Sequence, residues 1–105
     1  MNEELNTLEQ LFSELLSIVK QSGGSEYTPQ IRTIESILSC LRDNEFSDIS
    51  KIEYVVSAHR ELYPPRGGLS EFFIWDNDFQ TRKQLNEPLD TVRDNIWGIL
   101  KQYSV

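Results

Sequence analysis

Residues 3–21, EELNTLEQLFSELLSIVKQ, carry the pattern that decides the fold of this 105-residue chain. Apolar side chains recur there at alternating spacings of three and four, which places them along one face of an α-helix; they are Leu5, Leu8, Phe12, Leu15 and Val19. Leu11, Leu16 and Ile18 widen this face, so the helix is predicted to lie at the centre of the fold. Gly23-Gly24 is predicted to end it, because glycine tolerates the left-handed conformation of a helix stop.

The same spacing predicts two further helices. The first begins at Thr28, a good N-cap residue, with Pro29 in the first helical position, and fades in the polar turn 42–45. The second opens at Ser47 as its N-cap and stops before Pro64-Pro65, since proline cannot continue the hydrogen-bond ladder. Their apolar stripes are Ile31, Ile34, Leu38 and Leu41, flanked by Ile37, and then Ile49, Ile52, Val56, His59 and Tyr63, flanked by Val55 and Leu62.

Residues 64–78, PPRGGLSEFFIWDND, break the helical pattern. At least one residue of Gly67-Gly68 is expected to have positive φ and to turn the chain. The dense apolar run that follows, Leu69–Trp75, is too short for an ordinary helix and does not alternate like a strand. It is interpreted as a short helix or turn that plugs the end of the core, and a short strand is the alternative.

The last segment, residues 77–103, returns to helical spacing and contains Pro88. Asn86 is a candidate cap with Pro88 in the following first turn, so the segment forms either two helices meeting near Asn86 or one kinked helix. Its apolar stripe is Leu85, Leu89, Val92, Ile96, Ile99 and Tyr103.

These segments together predict an all-α fold in which residues 1–105 form a single domain. The expected architecture is a compact bundle of four main helices with the short apolar plug after the Pro-Pro-Arg-Gly-Gly turn. Residues from several helices are expected to be buried together, namely Phe12, Leu15, Ile34, Leu38, Val56, Ile96 and Leu100.

The net charge is −7 and the isoelectric point is about 4.6. Binding to a nucleic-acid backbone is not expected, because phosphate contacts need clustered lysine and arginine. The acidic N-terminus, MNEELNTLEQ, lacks the features of a secretory signal. No run approaches the roughly 18 consecutive apolar residues of a membrane span. The expected location is therefore the cytoplasm, with no membrane partner.

Candidate chemistry in the sequence is sparse. Cys40 is the only cysteine and is expected to be a small buried hydrophobe. His59 is the only histidine, and a base or a metal site needs further partners, so a packed histidine is expected. The chain is therefore predicted not to be an enzyme and to hold no metal and no cofactor.

The carboxylates are the candidate partner-binding residues. Asp43, Glu45 and Asp48 form a local acidic cluster, which is either a docking surface for a basic partner or a solvated loop. Asp76 and Asp78 begin a stretch with part of the spacing of a calcium loop. That loop needs a glycine at its sixth position, where this chain has Thr81, so an acidic N-cap for the last helix is the better interpretation.

The stretch PPRGGLSEFFIWDNDFQTRKQLNEPLD, residues 64–90, resembles part of a family of small bacterial helical proteins of unknown function. Their pattern is a Gly-Gly-[Leu/Met]-[Ser/Gly] turn, a hydrophobic-acidic segment and an Asn-containing final helix. The matching residues are Gly67, Gly68, Leu69, Ser70, Phe72, Asp76, Asn86 and Leu89. In size, charge and style such proteins are similar to the small acidic immunity proteins encoded beside bacterial toxins.

The resemblance and the composition together favour an immunity-type protein that binds and neutralises a cognate bacterial toxin. Complementary potentials between an acidic inhibitor and a basic nuclease-like toxin would speed their encounter. The alternative, from a different class, is a regulatory or adaptor module that binds an endogenous protein.

Overall fold

The protein is described by a computed structural model, which covers residues 2–64 and 68–103. Its four α-helices are α1 (Asn2–Ser22), α2 (Thr28–Arg42), α3 (Asp48–Glu61) and α4 (Phe79–Leu100). Two short 3₁₀ turns lie at Ser25–Tyr27 and Gly68–Ser70, and none of the described residues lies in a β-strand. The predicted all-α bundle of four main helices is therefore confirmed.

The helix α1 is the centre of the bundle, as its wide apolar face predicts. It packs against α2 and α4 and touches α3, while α3 packs mainly against α2. Its side chains Leu8, Phe12 and Val19 are fully buried. The bundle is about twice as long as it is wide, 46 × 24 × 24 Å, because the helices lie along one another.

The core is one continuous cluster of apolar side chains from all four helices and from the segment before α4. Six of the seven residues predicted to be buried together belong to it, namely Phe12, Leu15, Ile34, Leu38, Ile96 and Leu100. The seventh, Val56, is only partly buried against the cluster.

The predicted apolar stripe of α3 is correct for Ile52 but is rotated about the helix axis, so the predicted flanking residues Val55 and Leu62 lie at the centre of the buried face. The buried face consists of Ile52, Val55, Ala58 and the following Leu62, whereas Ile49 is 64% exposed. Both sets of residues have helical spacing, so periodicity alone does not separate them. The face with the small Ala58 side chain is the one that packs inward, and that places the larger Val56 at its margin.

Two of the predicted helix ends need correction. Thr28 is not the N-cap of α2, because a 3₁₀ turn precedes it and its own N–H already bonds to the Ser25 carbonyl. Helix α1 does stop before Gly23-Gly24, but neither glycine has positive φ. Gly23 is instead required by space, since a Cβ there would lie 2.6 Å from the carbonyl oxygen of Val19.

The connection from α3 to α4 contains the predicted turn with a glycine at positive φ, Gly68 at +67°. Its other glycine, Gly67, lies outside the described residues. The plug interpretation is correct for Leu69 and Phe72, which are buried in the core. It is wrong for Phe73 and Trp75, which are exposed, because residues after the 3₁₀ turn run along the surface toward α4.

The last segment is one helix, and Asn86 does not cap a second one. Helix α4 is continuous from Phe79 to Leu100 with Pro88 inside it. The side chain of Asn86 is buried and bonds to the backbone of Ile74 at both its N–H (3.0 Å) and its carbonyl (2.8 Å). The residue therefore ties the preceding segment to α4.

Candidate partner-binding groove

Three of the candidate carboxylates lie where α2 connects to α3: Asp43 and Glu45 are in the connection, and Asp48 is the first residue of α3. Asp43 is the residue that follows the last turn of α2, and its Oδ1 accepts a hydrogen bond from the Glu45 N–H at 2.9 Å. Ser47 caps α3 as predicted, accepting from the Ser50 N–H at 3.2 Å. These local bonds fix the backbone that carries Asp43, Glu45 and Asp48, three carboxylates within six residues of sequence. We refer to these three carboxylates as the acidic loop.

The two basic side chains nearest to the acidic loop in sequence bind elsewhere. Arg42 turns toward α1, where its Nε lies 3.5 Å from a carboxylate oxygen of Glu9 and its Nη2 donates to Ser13. Lys51 is buried and donates from Nζ to the carbonyl oxygen of Leu41 at 3.1 Å. The acidic loop therefore keeps an excess of negative charge.

A groove of about 760 Å³ opens beside the acidic loop, between α2 and α3. Phe46, which is 50% exposed, and Tyr54 give it aromatic surface, and the buried Cys40 lies at its base. Its lining residues are Arg32, Glu35, Ser36, Ser39, Cys40, Asp43, Phe46, Ser50 and Tyr54. Burial raises the pKa of the Cys40 thiol, so this side chain acts here as apolar surface.

Only Asp43 among the candidate carboxylates lines this groove. Phe46 and Tyr54 were not singled out from the sequence. Tyr54 lies off the predicted apolar stripe of α3, but nothing in the sequence places it in a groove. Phe46 stands beside a helix start, where an apolar residue is more often buried.

The other two candidate carboxylates organise the start of α4. Asp76 Oδ1 accepts from the Asp78 N–H at 2.9 Å, and Asp78 accepts from both the N–H and the hydroxyl of Thr81. These bonds, led by the one from the Thr81 backbone, hold the pKa of Asp78 below its ordinary value. Asp78 is thus the N-cap of α4, as predicted. Asp76 and Asp78 both stabilise the start of α4, in addition to any contact with a partner.

A second surface, which the sequence did not indicate, lies next to these two aspartates. Trp75 is 68% exposed and Phe79 is also exposed. The guanidinium carbon of Arg82 lies 4.6 Å from the ring centre of Trp75 and 5.4 Å from that of Phe79, which is the geometry of cation–π contacts. We call Trp75, Phe79 and Arg82 the aromatic–arginine patch.

His59 is packed, as predicted, among aromatic rings. Its ring centre lies 5.1 Å from that of Tyr63 and 6.4 Å from those of Phe12 and Trp97. Burial lowers the pKa of His59 from its ordinary value of 6.5 to about 4, so the imidazole is neutral at physiological pH. Within the part of the chain that the structure describes, no group of three or more His, Cys, Asp or Glu side chains is arranged to hold a metal ion.

None of the helices described here has the length and apolar character needed to cross a membrane. Comparison of the chain with protein-family models, with curated proteins and with solved structures finds no match.

Proposed function

We propose that this protein is an immunity-type protein that binds a cognate bacterial toxin and neutralises it by protein–protein contact. The observation that carries the proposal is an acidic loop with excess negative charge, placed beside an open groove with aromatic surface. It acts without catalysis, metal or cofactor, and it works in the cytoplasm, where it protects the cell that makes the toxin.

The charge distribution supports a basic partner. The whole chain carries −7, and Arg42 and Lys51, the cations next to the acidic loop, are directed to Glu9 and to the Leu41 carbonyl. A partner with a positive face is therefore attracted over a distance, and the carboxylates of the acidic loop mainly raise its association rate. Basic nuclease-like toxins have such a face, because they bind nucleic-acid phosphates.

The groove supplies the short-range apolar contacts that long-range charge attraction does not. Interfaces owe most of their affinity to a few well-packed aromatic and apolar anchors near the centre, surrounded by a polar rim. Phe46 and Tyr54 present apolar surface, while Asp43 stands at the rim. Asp76 and Asp78 contribute a second acidic region near α4, although any variant there must first be checked for stability because Asp78 caps the helix.

The proposal is tested by co-expression with the product of the gene next to this one. A toxic product should arrest growth when expressed alone and should permit growth when this protein is present. The two proteins should then co-purify in a fixed ratio. A neighbouring product that is not toxic, or whose toxicity this protein does not relieve, contradicts the immunity function.

The second candidate function is an adaptor that joins endogenous proteins, and the aromatic–arginine patch favours it. Trp and Arg side chains are enriched at the energetic centres of interfaces, and Phe is enriched in interfaces generally. This patch is formed by residues different from those lining the groove. An adaptor would use both surfaces at once. Replacement of Trp75 by Ala would then abolish capture of one partner while leaving the groove partner bound.

A further inference from the structure

The groove between α2 and α3 is elongated along α2, with a different residue at each end. Its α2 wall is a single stripe of side chains at helical spacing, from Arg32 in the second turn to Asp43 after the last. At a rise of about 1.5 Å per residue, this wall is about 16 Å long. Arg32 and Asp43 mark its two ends, and Ser36, Ser39 and Cys40 lie between them.

The two ends differ in charge. At the Arg32 end, Glu35 is paired with Lys20 of α1, with Nζ and the carboxylate 3.4 Å apart, so the charge of Arg32 is not offset by Glu35. At the other end, Asp43 is joined by Glu45 and Asp48 of the acidic loop. Buried Lys51 offsets one negative charge, which leaves this end acidic.

The middle of the groove is apolar with a hydroxyl rim. Cys40 lies at its base, the half-exposed Phe46 and Tyr54 stand on the α3 side, and serines supply polar edges. A third helix packs naturally onto two neighbouring helices, because its side-chain ridges fit the groove between them. Short amphipathic helices are recognised in such grooves through apolar anchors at positions i, i+3 or i+4, and i+7.

We infer that this groove binds one amphipathic helical segment of about three turns, with apolar anchors in its middle, Lys or Arg at one end and an acidic residue at the other. The basic end lies over Asp43 and the acidic end faces Arg32. This inference rests on the proposed function, since it gives the chemistry of the toxin segment that the protein holds. It also fixes the direction in which that segment lies.

The inference is tested with a displayed library of 12-residue helix-forming peptides, selected on the immobilised full-length protein. The enriched peptides should share apolar residues at helical spacing, and their Lys and Arg should cluster at one end. Synthetic versions of these peptides are then titrated against variants of the protein. Enriched sequences without a basic end, or the absence of any enrichment, overturn the inference.

Three variants separate the groove from the rest of the surface. Ser39→Trp places a large side chain at an exposed position of the α2 wall and should weaken the selected peptides at least tenfold. Asp43→Lys should weaken them by about tenfold, and more at low salt. Glu87→Lys makes the same charge change at an exposed position of α4 and should leave affinity within twofold. Equal binding by wild type and Ser39→Trp overturns the inference.

Tyr54→Ala is a second groove variant, which controls for misfolding of Ser39→Trp. It opens the groove instead of filling it, and it should not disturb folding because Tyr54 is already exposed. It should also weaken the peptides, with an unchanged circular dichroism spectrum. Different results contradict the immunity function and the groove assignment. Peptide selection that succeeds while the neighbouring gene product does not bind contradicts only the immunity function. A toxin that binds Ser39→Trp as tightly as wild type contradicts only the groove assignment.

Discussion

The side chain of Lys51 in α3 donates from its Nζ to the carbonyl oxygen of Leu41 at the end of α2, across 3.1 Å. The lysine is only 9% exposed. Its ammonium group satisfies one of the carbonyls that a helix end leaves without an intrahelical partner. This bond joins α2 to α3 directly behind the acidic loop. The geometry of the loop and of the groove beside it therefore depends on a bond made by a buried side chain.

Replacing Lys51 with Met should destabilise the protein. The methionine keeps most of the aliphatic stem but leaves the Leu41 carbonyl without its donor, which costs about 1–3 kcal/mol. Denaturant unfolding followed by circular dichroism measures this loss. Lys83→Met removes an exposed lysine of α4 and should change stability by less than about 0.5 kcal/mol. Equal midpoints for the two variants would show that the Lys51 bond is not needed.

Two glycines should respond in opposite directions to alanine. Gly68 has φ +67°, and a Cβ there would lie 2.7 Å from the Leu62 carbonyl oxygen and against Pro64 Cδ, so Gly68→Ala should cost more than about 1 kcal/mol. Gly98 is inside α4 with open space around the Cβ position, so Gly98→Ala should stabilise by about 0.5–1 kcal/mol. Thermal melts of both variants against wild type provide the measurement. A Gly68→Ala melting temperature at or above the wild-type value refutes the turn assignment.

The bonds of Asn86 should control the order of the segment before α4. Asn86→Leu removes the acceptor of the Ile74 N–H and the donor to the Ile74 carbonyl, at a cost of about 1–3 kcal/mol. The Ile74 amide should also exchange its hydrogen faster, as measured by NMR. Asn95→Leu, at an exposed position of the same helix, is the control and should leave that exchange rate unchanged. Unaltered exchange in Asn86→Leu would contradict the role of this side chain.

The stability of the protein should fall in acid through His59. Its pKa is about 4 in the folded protein against 6.5 ordinarily, so the unfolded chain binds the proton first. Stability is complete above pH 6.5 and is lost as the pH falls toward 4, by at most about 3 kcal/mol. Other groups also respond to acid, so the difference between wild type and His59→Phe is the quantity to measure. Identical pH profiles for the two proteins would exclude the histidine as the cause.

Helix periodicity predicted α1, α2 and the overall bundle because local spacing encodes which face is buried. Where distant contacts decide, it left one helix or two open around Pro88 and placed the centre of the α3 face incorrectly. The continuity of α4 through Pro88 accompanies bonds from Asn86 to Ile74, twelve residues earlier. The orientation of α3 was misjudged because two overlapping stripes fit the same spacing, and packing against α2 selects the one containing Ala58.

The candidate site was accessible from the sequence only in part. The acidic loop was found because charge clustering is local, as was the capping role of Asp78. The groove was not found, since it arises from the separation of two packed helices. Nothing local marked Phe46 as exposed, placed Tyr54 in a groove, or showed that Arg42 bonds to α1 and Lys51 to the end of α2.

The acidic loop is the surface proposed to attract a basic toxin, and association kinetics with the neighbouring gene product test this role most directly. The variant with Asp43→Lys, Glu45→Lys and Asp48→Lys is compared with wild type and with a control of equal charge change at exposed positions, Glu14→Lys, Glu61→Lys and Glu87→Lys. Both variants must first give the wild-type circular dichroism spectrum.

We predict that the loop variant associates about tenfold or more slowly than the control at low salt. The difference should shrink at 1 M salt, where the screening length falls to about 3 Å. Association rates that are the same for the two variants, or that do not respond to salt, would contradict the role of the acidic loop in attracting a basic toxin.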